Sequence, residues 1–131
     1  MSAREFRLIL PLGELMNLNA ERTMHHQTRS RRVRAIRKAA YHLADGAEPL
    51  HCPVAIEARF QWADARARDT SNWFPTVKAM VDGLVDAGLI PRDDDRTVRH
   101  TGLSVDLPAQ PGLKGHVQIL LTVRPIEGDA A

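Results

Sequence analysis

Three adjacent carboxylates, Asp93, Asp94 and Asp95, form the densest run of negative charge in the sequence. Like charges this close repel one another unless water or a cation compensates them. Carboxylate oxygens are the ligands that hard divalent ions such as Mg²⁺ and Mn²⁺ prefer. The triplet therefore indicates either a solvated turn or part of a cation site, and the residue pattern leaves both open.

Two further polar groups could act together with this triplet. One is the segment 68–72, which contains Asp69, and the other is Lys78 with Asp82 one helical turn later. If the loops on either side of the intervening helix fold back to one end of a sheet, Asp69 and Asp95 can share one ion. The sequence alone does not bring them together.

Other common catalytic and ligand-binding patterns are missing from the sequence. The six histidines and the single cysteine, Cys52, lack the spacing of a zinc site, and one cysteine excludes an internal disulfide framework. No spacing identifies a Ser-His-Asp arrangement, and neither a P-loop nor a dinucleotide fingerprint occurs. The N-terminus lacks the apolar segment of a secretory signal, and no apolar stretch reaches the roughly 18 residues of a membrane span. We therefore expect a cytoplasmic protein with no membrane partner.

The net charge is only +2, but the charge is unevenly distributed. Residues 1–42 hold nine Lys or Arg and three Glu, a net charge of +6, whereas residues 43–131 have a net charge of −4. A basic N-terminal third can bind phosphate backbones, and an acidic remainder can hold a cation against them. A solvated helix face with ordinary surface carboxylates explains the same distribution, and the charge pattern alone favours that interpretation.

Apolar periodicity divides the 131 residues, the length of one domain, into six elements. In chain order these are a strand over 6–10, a helix from the capping Ser30 to Gly46, a strand over 54–62, a helix over 76–87, and strands over 97–106 and 116–124. The basic stretch 17–30 has no clear period and is predicted to be a loop that orders on a ligand, and residues 125–131 are predicted to be a frayed tail. The order β-α-β-α-β-β indicates one α/β or α+β domain, residues 1–131, with a mixed sheet packed by two main helices.

One part of the chain resembles a known family. Its motifs are Asp69-Thr70-Ser71-Asn72, Lys78 on the following helix, Asp82-Gly83-Leu84, and Asp94-Asp95-Arg96-Thr97-Val98. In this order they resemble the D-x-D-N segment, lysine, D-A/G-L helix and D-D-x-x-V turn of the RusA family of Holliday junction resolvases. Residues 66–100 carry the resemblance. The N-terminal part resembles the family more loosely, through Asn19 and the Arg-rich segment that follows it.

The resemblance implies a RusA-like endonuclease, often encoded by phages or prophages, that cuts four-way junctions as a homodimer with Mg²⁺ or Mn²⁺. It assigns catalytic roles to Asp69, Lys78 and Asp95. It assigns metal ligation to Asp69, Asp94 and Asp95, with Asp93 as an additional carboxylate. It assigns contacts with DNA to Asn72 and to residues of the basic segment 17–45, which are Asn19, Arg22, Arg29, Arg31, Arg32 and Arg34.

Two departures from the family pattern bear on activity. Ser71 stands where D-x-D-N has its second aspartate, and a hydroxyl is a weaker Mg²⁺ ligand than a carboxylate; Asp93 or Asp94 could replace it. Lys78 lies three residues farther from Asn72 than in the family. Three functions stay open: a junction-resolving endonuclease, which the resemblance favours, a catalytically weak or inactive protein that binds branched DNA on the same fold, and a small domain that binds protein.

Overall fold

The computed structural model describes residues 3–126. Its strands and α-helices are β1 (Arg4–Pro11), α1 (Leu18–Thr23), α2 (His26–Ala44), β2 (Val54–Gln61), α3 (Phe74–Asp86), β3 (Val98–Ser104) and β4 (His116–Pro125). Short 3-10 turns at Leu12–Glu14, Thr70–Trp73 and Pro111–Leu113 lie between them.

The four strands form one mixed sheet in the order β1-β4-β2-β3. β4 is antiparallel to both of its neighbours, whereas β2 and β3 run parallel. The chain joins this parallel pair through α3, since parallel neighbours need a crossover connection. The predicted α+β domain with a mixed sheet is confirmed, with the short α1 as a third helix.

Side chains alternate across the sheet, and its two faces differ. In β4, Val117, Ile119, Leu121 and Val123 are all buried, and their cross-strand neighbours in β1 and β2, apart from Arg4 beside Val123, continue this apolar face. α2 packs against α3 and against β1, so the core lies between the helices and this face. The opposite face carries mostly polar and charged side chains that are exposed or half-buried.

α2 and α3 approach each other most closely at Gly83. A Cβ atom at this position would lie 2.3 Å from the backbone oxygen of Arg37 and 2.8 Å from the Cβ of Ala40. Glycine costs a helix about 1 kcal/mol relative to alanine. The close approach of the two helices explains why glycine is nevertheless present here.

The predicted loop over residues 17–30 is wrong. The Asn17 side chain caps α1 by accepting a hydrogen bond from the Ala20 N–H at 2.7 Å. α2 then begins at His26, four residues before the predicted cap, Ser30. This stretch is too polar to show a hydrophobic period, so periodicity does not reveal its helices.

The second predicted helix is present with slightly different ends. α3 begins at Phe74 rather than at Thr76, and it ends at Asp86. Lys78 therefore lies one turn after the first residue of the helix. Trp73, the residue before it, packs against the core.

The predicted frayed tail, residues 125–131, is only partly described. Pro125 pairs with Val54 at the end of β4, and the Ile126 N–H donates to the Pro53 carbonyl oxygen at 2.9 Å. Residues 127–131 lie outside the described residues. Within residues 3–126, no helix is long and apolar enough to cross a lipid bilayer.

Candidate nucleic-acid and ion site

The start of α3 is tied to the segment after β1 by Thr76, which is fully buried. The Thr76 hydroxyl accepts a hydrogen bond from the Met16 N–H at 2.9 Å and donates one to the Met16 carbonyl oxygen at 2.7 Å. Breaking these bonds would leave buried polar groups without partners, which is costly. The anchor holds the first turn of α3 beside the start of the basic segment.

Lys78 lies between two carboxylates on the exposed side of α3. Its Nζ is 2.7 Å from Asp82 Oδ1 and 2.5 Å from Asp93 Oδ2. Partial burial acts to lower the pKa of Lys78, but the hydrogen bonds to Asp82 and Asp93 outweigh this effect and the pKa is raised. The hydrogen bonds with Lys78 and Asp82 lower the pKa of Asp93. The structure thus brings together two predicted site residues, Lys78 and Asp93, that are far apart in the sequence.

A second ion pair lies farther along α3. Arg37 of α2 donates two hydrogen bonds to Asp86, one from Nε and one from Nη2, the latter at 2.8 Å. These bonds lower the pKa of Asp86 and raise that of Arg37. The pair joins α2 to α3, so the basic helix is held in a fixed position relative to Lys78.

The loop before α3 carries Asp69, Ser71 and Asn72. Ser71 Oγ donates a hydrogen bond to Asp69 Oδ1 at 3.0 Å. Asp69 and Ser71 occupy the positions of the two aspartates of the family's D-x-D-N segment, so these two positions are in direct contact. Asn72 Oδ1 accepts a hydrogen bond from the Leu18 N–H at 3.1 Å. Asn72, a predicted DNA contact, therefore also connects this loop to the first residue of α1.

The three aspartates before β3 have different surroundings. Asp93 belongs to the lysine cluster described above. Asp94 Oδ1 accepts hydrogen bonds from the N–H groups of Arg96 and Thr97 at 3.1 and 3.2 Å, which closes the turn into β3. Asp95 is exposed. The triplet is thus partly a structural turn and partly a solvent-facing group.

These carboxylates have suitable chemistry for Mg²⁺, but they are not gathered into a ligand set. Among residues 3–126, no three His, Cys, Asp or Glu side chains form a group that could hold a metal ion. Asp93 is bound to Lys78, and Asp69 accepts the hydrogen bond from Ser71. As placed, the side chains do not fit a bound ion, and the sharing of one ion by Asp69 and Asp95 stays a prediction.

Two cavities flank Phe74 and Lys78. One, of about 340 Å³, extends from this pair to Leu18 of α1. The other, of about 310 Å³, extends to Asp93 and to Thr101 of β3. The Lys78 side chain is 65% exposed, so an extended anion such as a phosphate backbone can reach its ammonium group.

The predicted DNA-binding residues of the basic segment lie on α1 and α2. The exposed members are Asn19, Arg22, Arg31 and Arg34, and the half-buried members are Arg29 and Arg32. Arg31, Arg34 and Lys38 follow one another at helical spacing and form an exposed basic stripe on α2. Arg32 instead donates a hydrogen bond to the Leu15 carbonyl oxygen at 3.4 Å, so it also has a structural partner.

Three residues that shape the site were not among the predicted site residues. Asp82 has a visible signal, because it follows Lys78 at the spacing of a helical ion pair. Thr76 and Arg37 have none, because their partners lie 60 and 49 residues away in the sequence. Only the folded chain reveals these two contacts.

Comparison with known proteins does not add a relative. No protein-family model matches the chain, and no curated protein matches it significantly. The resemblance to the RusA family therefore rests on sequence motifs, chiefly those of residues 66–100.

Proposed function

We propose that this chain is a Mg²⁺-dependent, structure-specific endodeoxyribonuclease that resolves Holliday junctions or related branched DNA. In this proposal it hydrolyses phosphodiester bonds as a cytoplasmic homodimer, and Mn²⁺ can replace Mg²⁺. The resemblance of residues 66–100 to the RusA family is the main support.

One structural observation carries the proposal further. The separate candidate groups meet around the N-terminal half of α3: Asn72 contacts Leu18 at the start of the basic segment, and Lys78 contacts Asp93 in the acidic turn. A lysine next to basic helices is suited to a phosphate backbone, and a cation held by the neighbouring carboxylates would offset their repulsion of that backbone. A solvated turn accounts for Asp94 and Asp95 but not for the contact of Asp93 with Lys78.

The chain's own residues have distinct roles in the proposal. Lys78 binds the scissile phosphate and neutralises the charge that develops on it. Asp69 and Asp95, with Asp94 or Asp93, are the carboxylates assigned to the ion, and this assignment requires a rearrangement from the arrangement described above. Asn19 and the arginines of the basic segment hold flanking phosphates, which positions DNA without reading its sequence.

A second candidate function is branched-DNA binding with weak or no cleavage. One observation favours it: Ser71 provides a hydroxyl where the family has a carboxylate. The basic helices would serve this function equally well.

A cleavage assay separates the two candidates. A labelled four-way junction and a linear duplex of the same sequence are incubated with Mg²⁺, with Mn²⁺ and with EDTA. A resolvase produces paired symmetrical nicks on the junction alone, and EDTA abolishes them. Junction binding without any ion-dependent product supports the second candidate. Failure to bind DNA at low salt contradicts both and supports the protein-binding alternative.

Two substitutions test the site assignment in the same assay. Asp69→Asn and Asp95→Asn should each abolish cleavage while junction binding persists. Asp45→Asn, an exposed aspartate at the end of α2, is the matched control and should cut normally. Unimpaired cutting by both site variants would show that the active site lies elsewhere.

A further inference from the structure

The sheet face opposite the helices is covered by no described helix or strand, although the loop after β3 contacts Arg59 and Gln61 of β2. In β1 its outward side chains are Glu5, Arg7 and Ile9, and all three are exposed. Ile9 is 53% exposed, the largest value among the exposed large hydrophobic residues. A cavity of about 380 Å³ lies on this face beside Leu120 of β4. The face is therefore accessible and partly apolar.

The strand register arranges the side chains of this face in rows that cross the four strands. One row contains two glutamates and runs Glu5, Thr122, Glu57, Gly102 across β1, β4, β2 and β3. The next row contains two arginines and runs Arg7, Leu120, Arg59, Ser104. The rows are two residues apart along each strand, or about 6.7 Å. An acidic row thus lies directly beside a basic row.

This pattern is self-complementary. A second copy can stack on this face and be related to the first by a two-fold axis. If that axis runs between the two rows and parallel to them, the acidic row of each copy lies opposite the basic row of the other copy. Glu5 then faces the arginine at position 7 of the second copy, and Glu57 faces the arginine at position 59. The same operation places exposed Ile9 opposite the small Ala3. Face-to-face sheets of this kind lie about 10 Å apart with their strands within about 30° of each other.

We propose that this open sheet face binds a second copy of the chain through the acidic and basic rows. A patch about 19 Å wide and about 26 Å long offers roughly 500 Å² per copy, which places the dimer near the lower limit of specific interfaces. With so little area, charge complementarity decides the choice of partner. This surface would form the homodimer of the proposed nuclease. The dimer itself does not depend on nuclease activity; only its biological purpose rests on the proposed function.

Charge reversal on β1 tests the proposed surface. Within residues 3–126, Glu5 and Arg7 have no ion pair, so they are free to contact a second copy, whereas Glu57 already contacts His100 and Arg59 already binds Asp106. Arg7→Glu and Glu5→Arg each place like charges opposite each other in the dimer. Each variant should dimerise at least roughly tenfold more weakly than the unmodified chain. The mass of the unmodified full chain and of each variant is measured by sedimentation at several concentrations.

A mixture of the two variants provides the decisive comparison. One copy then has two glutamates and the other two arginines, so every pair across the two-fold axis is attractive. The mixture should form a heterodimer at a concentration at which each variant alone is monomeric, and the double variant Glu5→Arg/Arg7→Glu should dimerise normally. Lys38→Glu, on the helical side of the molecule, is the control for the charge change and should dimerise as tightly as the unmodified chain.

The outcomes are distinct from those of the cleavage assay. A monomeric unmodified chain overturns the proposed surface, and so does a dimer that neither single variant weakens. Lack of rescue in the mixture shows that the rows do not face each other. Each of these results concerns the mass of the protein alone, whereas the proposed nuclease activity is tested by the cleavage products of the four-way junction.

Discussion

Ser71 is the residue on which the two candidate functions divide. Its hydroxyl donates a hydrogen bond to Asp69, so it already lies beside a carboxylate assigned to the ion. A carboxylate at position 71 would add the anionic ligand that the family pattern contains. It would also repel Asp69 whenever no cation is bound.

We predict that Ser71→Asp increases Mg²⁺-dependent cleavage of a four-way junction by roughly tenfold or more, because one additional anionic ligand strengthens ion binding. The same variant should unfold at a lower temperature than the unmodified chain in EDTA and regain stability as Mg²⁺ is added. Cleavage products and thermal unfolding curves are measured over a Mg²⁺ titration.

Ser71→Ala is the matched control, because it removes the hydrogen bond to Asp69 without adding charge. It should not gain activity or a Mg²⁺-dependent shift in unfolding temperature. If Ser71→Asp behaves like Ser71→Ala in both measurements, position 71 lies outside the ion site.

At the scale of elements, the contact between α2 and α3 depends on a single small residue. Gly83→Ala should lower the free energy of unfolding by up to about 2 kcal/mol, because the added Cβ forces the helices apart at a cost of about 1–3 kcal/mol. The gain of about 1 kcal/mol in helix propensity offsets only part of this cost. The measurement is chemical denaturation of the two proteins.

Gly13→Ala is the control, since a Cβ at that position meets no atom within 4 Å. Its free energy of unfolding should stay close to that of the unmodified chain. An unchanged or increased stability of Gly83→Ala would show that the helices can separate without loss.

The ion pair between Arg37 and Asp86 makes helix packing depend on pH. The hydrogen bonds from Arg37 lower the pKa of Asp86 in the folded chain below its ordinary value. The pair's contribution to stability is therefore complete above the ordinary carboxyl pKa, and it is lost as the pH falls through the lowered folded-state value. Asp86→Asn should be less stable than the unmodified chain at neutral pH, and the difference should shrink in acid.

Urea unfolding at neutral and acid pH measures this effect. Glu48→Gln, an exposed carboxylate in the connection after α2, is the control and should retain the pH dependence of the unmodified chain. An equal stability difference for Asp86→Asn at both pH values would contradict an ionic contribution from this pair.

Elements that show a local apolar pattern can be predicted from the sequence, whereas elements and contacts that depend on a single cap or on the folded topology cannot. Alternation in β2 and β4 and the apolar stripe of α3 are local patterns, so periodicity locates these elements within a few residues. α1 is held by the Asn17 cap rather than by a stripe, and a lone cap in a polar stretch is a weak signal. The contact of Lys78 with Asp93 requires the crossover from α3 to β3, which no local pattern specifies.

At the scale of the whole molecule, the proposed function assigns the binding of DNA phosphates to the basic helices. Arg31→Ala should weaken junction binding at low salt and reduce the slope of log affinity against log salt by about one, because one fewer phosphate is neutralised. Affinity measured at several salt concentrations tests this. Lys114→Ala, in the exposed turn before β4, is the control and should leave the slope unchanged.

The position of β4 also has a consequence for synthesis. β1 and β2 are not neighbours, and each pairs with β4, the last of the four strands to leave the ribosome. The apolar side chains of β1 thus remain without their sheet partner while more than a hundred further residues are translated. α2, β2, α3 and β3 can associate before β4 is made, but β1 cannot join the sheet, so we expect a nascent chain that depends on chaperones until β4 emerges.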